Sequence, residues 1–200
     1  MGKVINLDKE IKYLSLEDMR NIFKTISKSE RKHSLRDLCL FEVAFETGCR
    51  ASEMGLFTVK DFKHVTRELY CRRLKNGNNN TVRLSKETAR HLKKYITEAK
   101  LQDEDYIFIS QQGGPINRRT IDNLTRSYFK SAKIKDVSKH HFHVVRHTKA
   151  VTMLEQGFKL EDVQYVLGHK NIANTSIYAQ FSSNYKRSLF DKMDMISVRS

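Results

Sequence analysis

His143-Val144-Val145-Arg146-His147-Thr148 opens an apolar run that reads as helix to Gln156 and stops at Gly157, a residue that readily leaves helical geometry. His143 and His147 are four apart, so they share one helix face. That is the spacing of a zinc peptidase helix, but such a helix needs glutamate where this chain has Val144. His140 and His141 add to the local histidine density and leave only adventitious metal binding as the metal reading. An arginine flanked by two histidines suits another ligand better. A guanidinium forks onto the oxygens of a phosphate, and an imidazole holds or moves a proton beside it.

Working outward, Leu167-Gly168-His169 follows, and Tyr178 lies nine residues beyond His169. Upstream stand Thr47-Gly48-Cys49-Arg50-Ala51-Ser52-Glu53 and Arg73-Leu74-Lys75-Asn76-Gly77. Two arginines, a lysine, two histidines and a tyrosine are what phosphodiester chemistry without a metal requires. Taken singly, each has a bland reading. The chain holds 37 Lys and Arg and eight Tyr, so a lone arginine is a solvated charge and a lone tyrosine is a core residue. Tyr185 is the reserve nucleophile. The joint order and spacing overturn the separate readings.

With these residues in view, the chain resembles the tyrosine recombinases, or phage-type integrases. The Arg50 stretch resembles their first arginine box, residues 143–148 their HxxRHT box, and Leu167-Gly168-His169 with Tyr178 their LGH…Y box. Lys75 sits where the family's hairpin lysine lies. The likeness spans roughly residues 13–185. It implies a mainly helical α+β catalytic domain with a small three-stranded antiparallel sheet. It implies Tyr178 as nucleophile forming a 3′-phosphotyrosyl link, and Arg50 and Arg146 as clamps on the phosphate. His169 donates to a further oxygen, Lys75 is the general acid, His143 assists proton transfer and Glu53 supports the site. The expected DNA contacts are Arg73 and Asn76 beside Lys75, and Arg118, Arg119, Thr120 and Arg126 on a later helix. No cofactor is implied. The partner is double-stranded DNA, met as a monomer in solution and a tetramer on synapsed DNA.

The net charge of +14 fits a polyanionic partner. It would equally serve a DNA-binding module without catalysis, which leaves the spacing of Arg50, Arg146, His169 and Tyr178 unexplained. Relaxation of DNA, as by type IB topoisomerases, is a related alternative. Cys39, Cys49 and Cys71 are odd in number and form no CxxC pair, so a disulfide framework or thiolate zinc site is not indicated. No apolar run reaches the ~18 residues of a membrane span. The expected setting is cytoplasmic and nucleoid-associated.

Along the chain, residues 1–13 read as a leader or linker, 14–183 as the catalytic domain and 184–200 as a tail helix. Ser15 with Asp18 reads as a capping box, followed by Leu16, Met19, Phe23 and Ile26 at helical spacing. A second helix ends near Gly48. Tyr70 to Leu74, Thr81 to Leu84 and Tyr106 to Ser110 read as short strands, the first two joined around Asn76-Gly77. Further helices are expected over residues 85–99, 117–132, 144–156, 160–168 and 174–181. The separate DNA-clamping domain that most family members carry ahead of the catalytic domain has no room here. The chain therefore reads as a catalytic-domain fragment or as a short inversion-type recombinase. Leu189, Phe190, Met193 and Ile196 give the tail an apolar face, expected to pack on a neighbouring protomer or on its own core.

Overall fold

The structure is a computed structural model, and it describes residues 11–196. Expectations about residues 1–10 and 197–200 lie outside the described residues. α1 (Leu16–Ser27) starts as its sequence signals. The Ser15 side chain accepts from the Asp18 amide at 3.0 Å, and the Asp18 carboxylate accepts from the Ser15 amide at 3.1 Å. Met19, Ile22 and Ile26 then bury one stripe. α2 (Ser34–Thr47) is buried on nearly every side and ends at Gly48, whose φ is +61°. It is the central rod, packed against α1 and against α4 (Lys86–Glu98) and α6 (His143–Glu155). Phe41 on α2 meets Tyr128, Phe129 and Phe142 at centroid distances of 6.0, 6.3 and 5.8 Å.

Between α2 and α4 lie the short α3 (Ala51–Met54) and a sheet of β1 (Phe62–Lys63), β2 (Glu68–Cys71) and β3 (Asn80–Arg83). The order is β1-β2-β3 and both pairings are antiparallel. Leu69 faces Phe62 on one side and Val82 on the other, and all three are buried. The sheet thus has the expected strand number and a different third member. Residues 106–110 form no strand, only isolated bridges between Thr58 and Tyr106 and between Ile109 and Pro115. The physical reason is their packing. Ile107 and Phe108 are consecutive and both buried, which a two-sided strand with one wet face does not allow. β2 also stops before Leu74. The Arg73 amide donates to Asn79 Oδ1 at 2.8 Å rather than across the ladder.

α5 (Arg118–Ser131) is capped by Asn117, whose side chain accepts from the Thr120 amide. After α6 come α7 (Leu160–Leu167), α8 (Ala173–Ser176), a 3-10 turn at Ala179–Phe181 and α9 (Ser183–Asp194). The single helix expected over 174–181 is therefore broken, and Tyr178 stands at the break. A second core gathers Val151, Leu154, Val163, Leu167 and Tyr178. Ile11 and Tyr13 pack against it, and the Leu14 amide donates to Thr148 Oγ1 at 2.9 Å. Residues 11–13 of the expected leader are therefore part of the packed body. The start of α9 is tied to α6 by the Asn184 amide group, which donates to the Glu155 carbonyl at 2.7 Å. Leu189, Phe190, Met193 and Ile196 stay exposed.

Candidate active site

Arg50, Lys75 and His169 line one open cleft of about 730 Å³ together with Asn76, Gly77, Gln164, Gly168 and Asn174. Arg146 and Tyr178 lie behind its wall, each 2% exposed. Residues up to 128 positions apart in sequence, Arg50 to Tyr178, thus converge on one place.

Arg50 sits where α2 turns into α3. Its amide and its Nη1 both donate to the Glu53 carboxylate, at 2.9 and 2.8 Å. Glu53 also accepts from the Leu74 amide at 3.1 Å and from Arg73 Nη1 at 3.4 Å. Burial pushes its carboxyl up, but the bonds from Arg50 and Leu74 outweigh that and hold it below the ordinary range. Glu53 is therefore a charged anchor joining the Arg50 turn to the β2–β3 hairpin.

Arg73, expected at a DNA contact, is instead inside the protein. Its side chain is fully buried and donates to Asn80 Oδ1 at 3.0 Å, the Thr47 carbonyl at 2.9 Å and the Val166 carbonyl at 2.7 Å. Those carbonyls belong to the C-terminal turns of α2 and α7, where helix dipoles favour a cation. The guanidinium also lies 3.1 Å from Cys49 Sγ. Cys39, Cys49 and Cys71 are buried free thiols.

Lys75 is exposed at the hairpin tip. Lys75 and Asn76 have φ of +55° and +59°, and the Gly77 amide donates to the Leu74 carbonyl at 3.2 Å. This is a tight turn of the primed kind, centred one residue before the Asn76-Gly77 pair. Glycine is needed at 77 for another reason. A Cβ there would come within 2.9 Å of the Gly168 carbonyl oxygen, and one on Gly168 within 2.7 Å of the Asn78 carbonyl oxygen. The two glycines let the hairpin tip lie against the end of α7, closed by the Asn78 amide donating to the Gly168 carbonyl at 3.0 Å. That contact puts Lys75 beside His169.

Arg146 reaches from α6 to donate to the Gly48 carbonyl through Nη1 and to His169 Nε2 through Nη2, the latter at 2.7 Å. Arginine cannot accept, so His169 Nε2 carries no proton here. The ring proton is then on Nδ1 and donates to Thr175 Oγ1 at 2.9 Å. Burial first, and then the Arg146 and Arg50 charges, lower His169 to about 3. Tyr178 Oη lies 2.9 Å from His147 Nδ1. Burial raises the phenol, opposed by the adjacent Arg146 and Arg50. His143 is exposed, with its ring edge-on to His147 at 4.4 Å.

Thr175 and the His147–Tyr178 contact escape sequence reasoning. Thr175 carries no signal except a position inside the interval between His169 and Tyr178. His147 carries one, because it lies one turn after His143 on the same face, yet its spacing points as readily to metal. Among the described residues no three His, Cys, Asp or Glu side chains gather as a metal site. His140 instead bonds the Ile134 carbonyl at 2.9 Å. Arg118, Arg119 and Arg126 are exposed on α5, and Thr120 is half-buried. Burial first, and then the charges of Arg146 and Arg50, with Arg118 among the lesser causes, lower His143.

The chain matches the Phage integrase family over residues 12–184. It is 29% identical over 179 residues to the tyrosine recombinase XerC of Staphylococcus epidermidis, covering 87% of this chain and 58% of that protein. The crystal structure of XerA recombinase superposes with a TM-score of 0.76 at 25% identity, over 90% of this chain and 64% of that one. The catalytic domain of bacteriophage HP1 integrase superposes with a TM-score of 0.64 at 19% identity, over 91% of this chain and 95% of that domain. The chain spans about half the length of the curated relatives it matches. With this match over most of its length, and this helical body around a small antiparallel sheet, the chain belongs to the phage integrase family and has the fold of a tyrosine recombinase catalytic domain.

Proposed function

We propose that the protein is a site-specific DNA recombinase that cleaves and rejoins strands through a 3′-phosphotyrosyl intermediate. The observation that carries the reading is the convergence of Arg50, Lys75, Arg146, His169 and Tyr178 around one basic cleft. Arg50 keeps part of its guanidinium free beside the cleft and, with Arg146, clamps the non-bridging oxygens of the scissile phosphate. The Arg146–His169 bond opens to admit the phosphate, whose negative charge lifts the His169 imidazole toward protonation and lets Nε2 donate. Tyr178 Oη attacks phosphorus. Lys75 protonates the departing 5′ oxygen from the exposed hairpin tip, and His143 assists proton movement at the rim. Glu53 holds the Arg50 turn against the hairpin. The ester stores the bond energy, so rejoining by another 5′-hydroxyl needs no nucleotide and no metal.

Asn76 beside Lys75, and Arg118, Arg119, Thr120 and Arg126 on α5, are the DNA contacts in this reading. Residues 14–183 are the catalytic domain, and the apolar face of α9 docks on a neighbouring protomer in a tetramer assembled on DNA from monomers. Among the described residues no helix is long and apolar enough to cross a membrane.

The test is a nicked duplex carrying the site recovered by selecting random-sequence DNA on this protein. A covalent protein–DNA band on a denaturing gel is expected, and Tyr178→Phe should remove it while DNA binding persists. Binding without any covalent band in the native protein would overturn the reading in favour of a module that only binds.

A further inference from the structure

We propose that His147 is the base of the cleavage step, taking the phenolic proton of Tyr178 through Nδ1 as Tyr178 Oη bonds to phosphorus. The inference rests on the reading above that Tyr178 is the nucleophile.

The geometry is direct. His147 Nδ1 lies 2.9 Å from Tyr178 Oη, within hydrogen-bond reach of the proton to be removed. His143, the other histidine of that helix face, makes no hydrogen bond to the hydroxyl and meets His147 instead, with rings 4.4 Å apart. In the neutral ring with its proton on Nε2, Nδ1 is the acceptor that faces the phenolic O–H. The α6 helix sets this division of labour. Arg146 and His147 are adjacent and diverge, one toward Gly48 and His169, the other toward Tyr178.

The surroundings make the base conditional. Burial, and then His143, His141, Arg146 and His169, lower His147 to about 3. Without DNA the ring stays neutral, and an imidazolium there is opposed by cationic neighbours. A phosphate clamped between Arg50 and Arg146 neutralises part of that field, so proton transfer becomes favourable only when the target is present. The step balances. The Oη–phosphorus bond forms, the bond from phosphorus to the 5′ oxygen breaks, the phenolic proton moves to His147 Nδ1, and Lys75 gives a proton to the leaving 5′ oxygen.

The experiment is single-turnover cleavage of the selected nicked duplex by His147→Asn and His147→Ala, with DNA affinity measured in parallel. Asparagine can accept the hydrogen bond but cannot take the proton. Both variants should lose about 10²–10⁴-fold in cleavage rate, the range for a positioned general base, and keep DNA affinity. Free imidazole should restore part of the His147→Ala rate. A duplex with sulfur as the bridging 5′ atom adds a second arm, since a thiol is far more acidic than an alcohol and departs unprotonated. On it Lys75→Ala should recover and the His147 variants should not. Cleavage by His147→Asn within about threefold of the native rate overturns the proposal. So does recovery of the His147 variants on the sulfur substrate. Absence of any covalent product with the native protein would sink the recombinase reading itself, a result distinguishable from either of these.

Discussion

The two walls of the cleft are built on opposite principles. Lys75 and Asn76 stand exposed on a tight turn, and the Arg50 side chain is 23% exposed. Arg146, His169 and Tyr178 are nearly closed off and already satisfied by one another and by Gly48, Thr175 and His147. In the proposed reading, one wall offers DNA free donors and the other exchanges internal hydrogen bonds for phosphate oxygens. A buried cation held by a carbonyl and an imidazole stays ordered without its anion, whereas an exposed lysine costs nothing to leave unpaired. The contrast separates residues whose loss harms chemistry alone from those whose loss also harms the fold.

The sharpest way to test that separation is on the open wall. Lys75→Ala should lower strand cleavage by about 10²–10⁴-fold and shift the melting temperature by no more than ~2 °C, as an exposed substitution does. Both are read from the same preparation, by single-turnover cleavage and by thermal unfolding. A melting shift as large as that of a core variant would abolish the distinction.

A smaller but still large effect is expected beneath the cleft floor. Glu53→Ala removes the carboxylate that faces fully buried Arg73 and accepts from the Arg50 and Leu74 amides. Breaking a buried ion pair from one side costs about 3–5 kcal/mol, so the urea midpoint should fall correspondingly. A midpoint within experimental error of the native one would show that Arg73 finds other partners.

The smallest effect concerns acid. His147 and His169 are held to about 3 in the fold, while an unfolded histidine titrates near 6.5. Between those values the unfolded chain binds more protons than the folded one, so stability falls as pH drops through that window. Melting temperature should decline from pH 7.5 to pH 5, and bound DNA should blunt the decline by favouring the protonated imidazoles. A flat profile would mean that the closed wall is not desolvated as described.

The legibility of this chain follows the range of the forces involved. α1 was readable because Ser15 caps it locally, and α1 and α5 both carry apolar stripes that repeat at helical period. The boxes around Arg50, Arg146, His169 and Tyr178 were readable through their order and spacing. Residues 106–110 misled because consecutive apolar residues look the same whether they form a strand or plug a core. Arg73 misled because a lysine-bearing turn next to an arginine looks like a basic surface. Nothing nearby in sequence reveals that Thr47, Glu53 and Val166 converge to receive it.

Sequence alone was enough for the helical body, the capped start of α1 and the positive charge, since these follow from local propensity and composition, and for the family, which the resemblance of its boxes carried. Three-dimensional packing settled that Arg73 is swallowed while Arg50 stays part-exposed at the cleft, and that His169 Nε2 meets Arg146 while its Nδ1 meets Thr175. It also settled which histidine meets the Tyr178 hydroxyl. These depend on burial and on partners tens of residues away, and a hydrogen bond between distant segments exists only once the chain has folded.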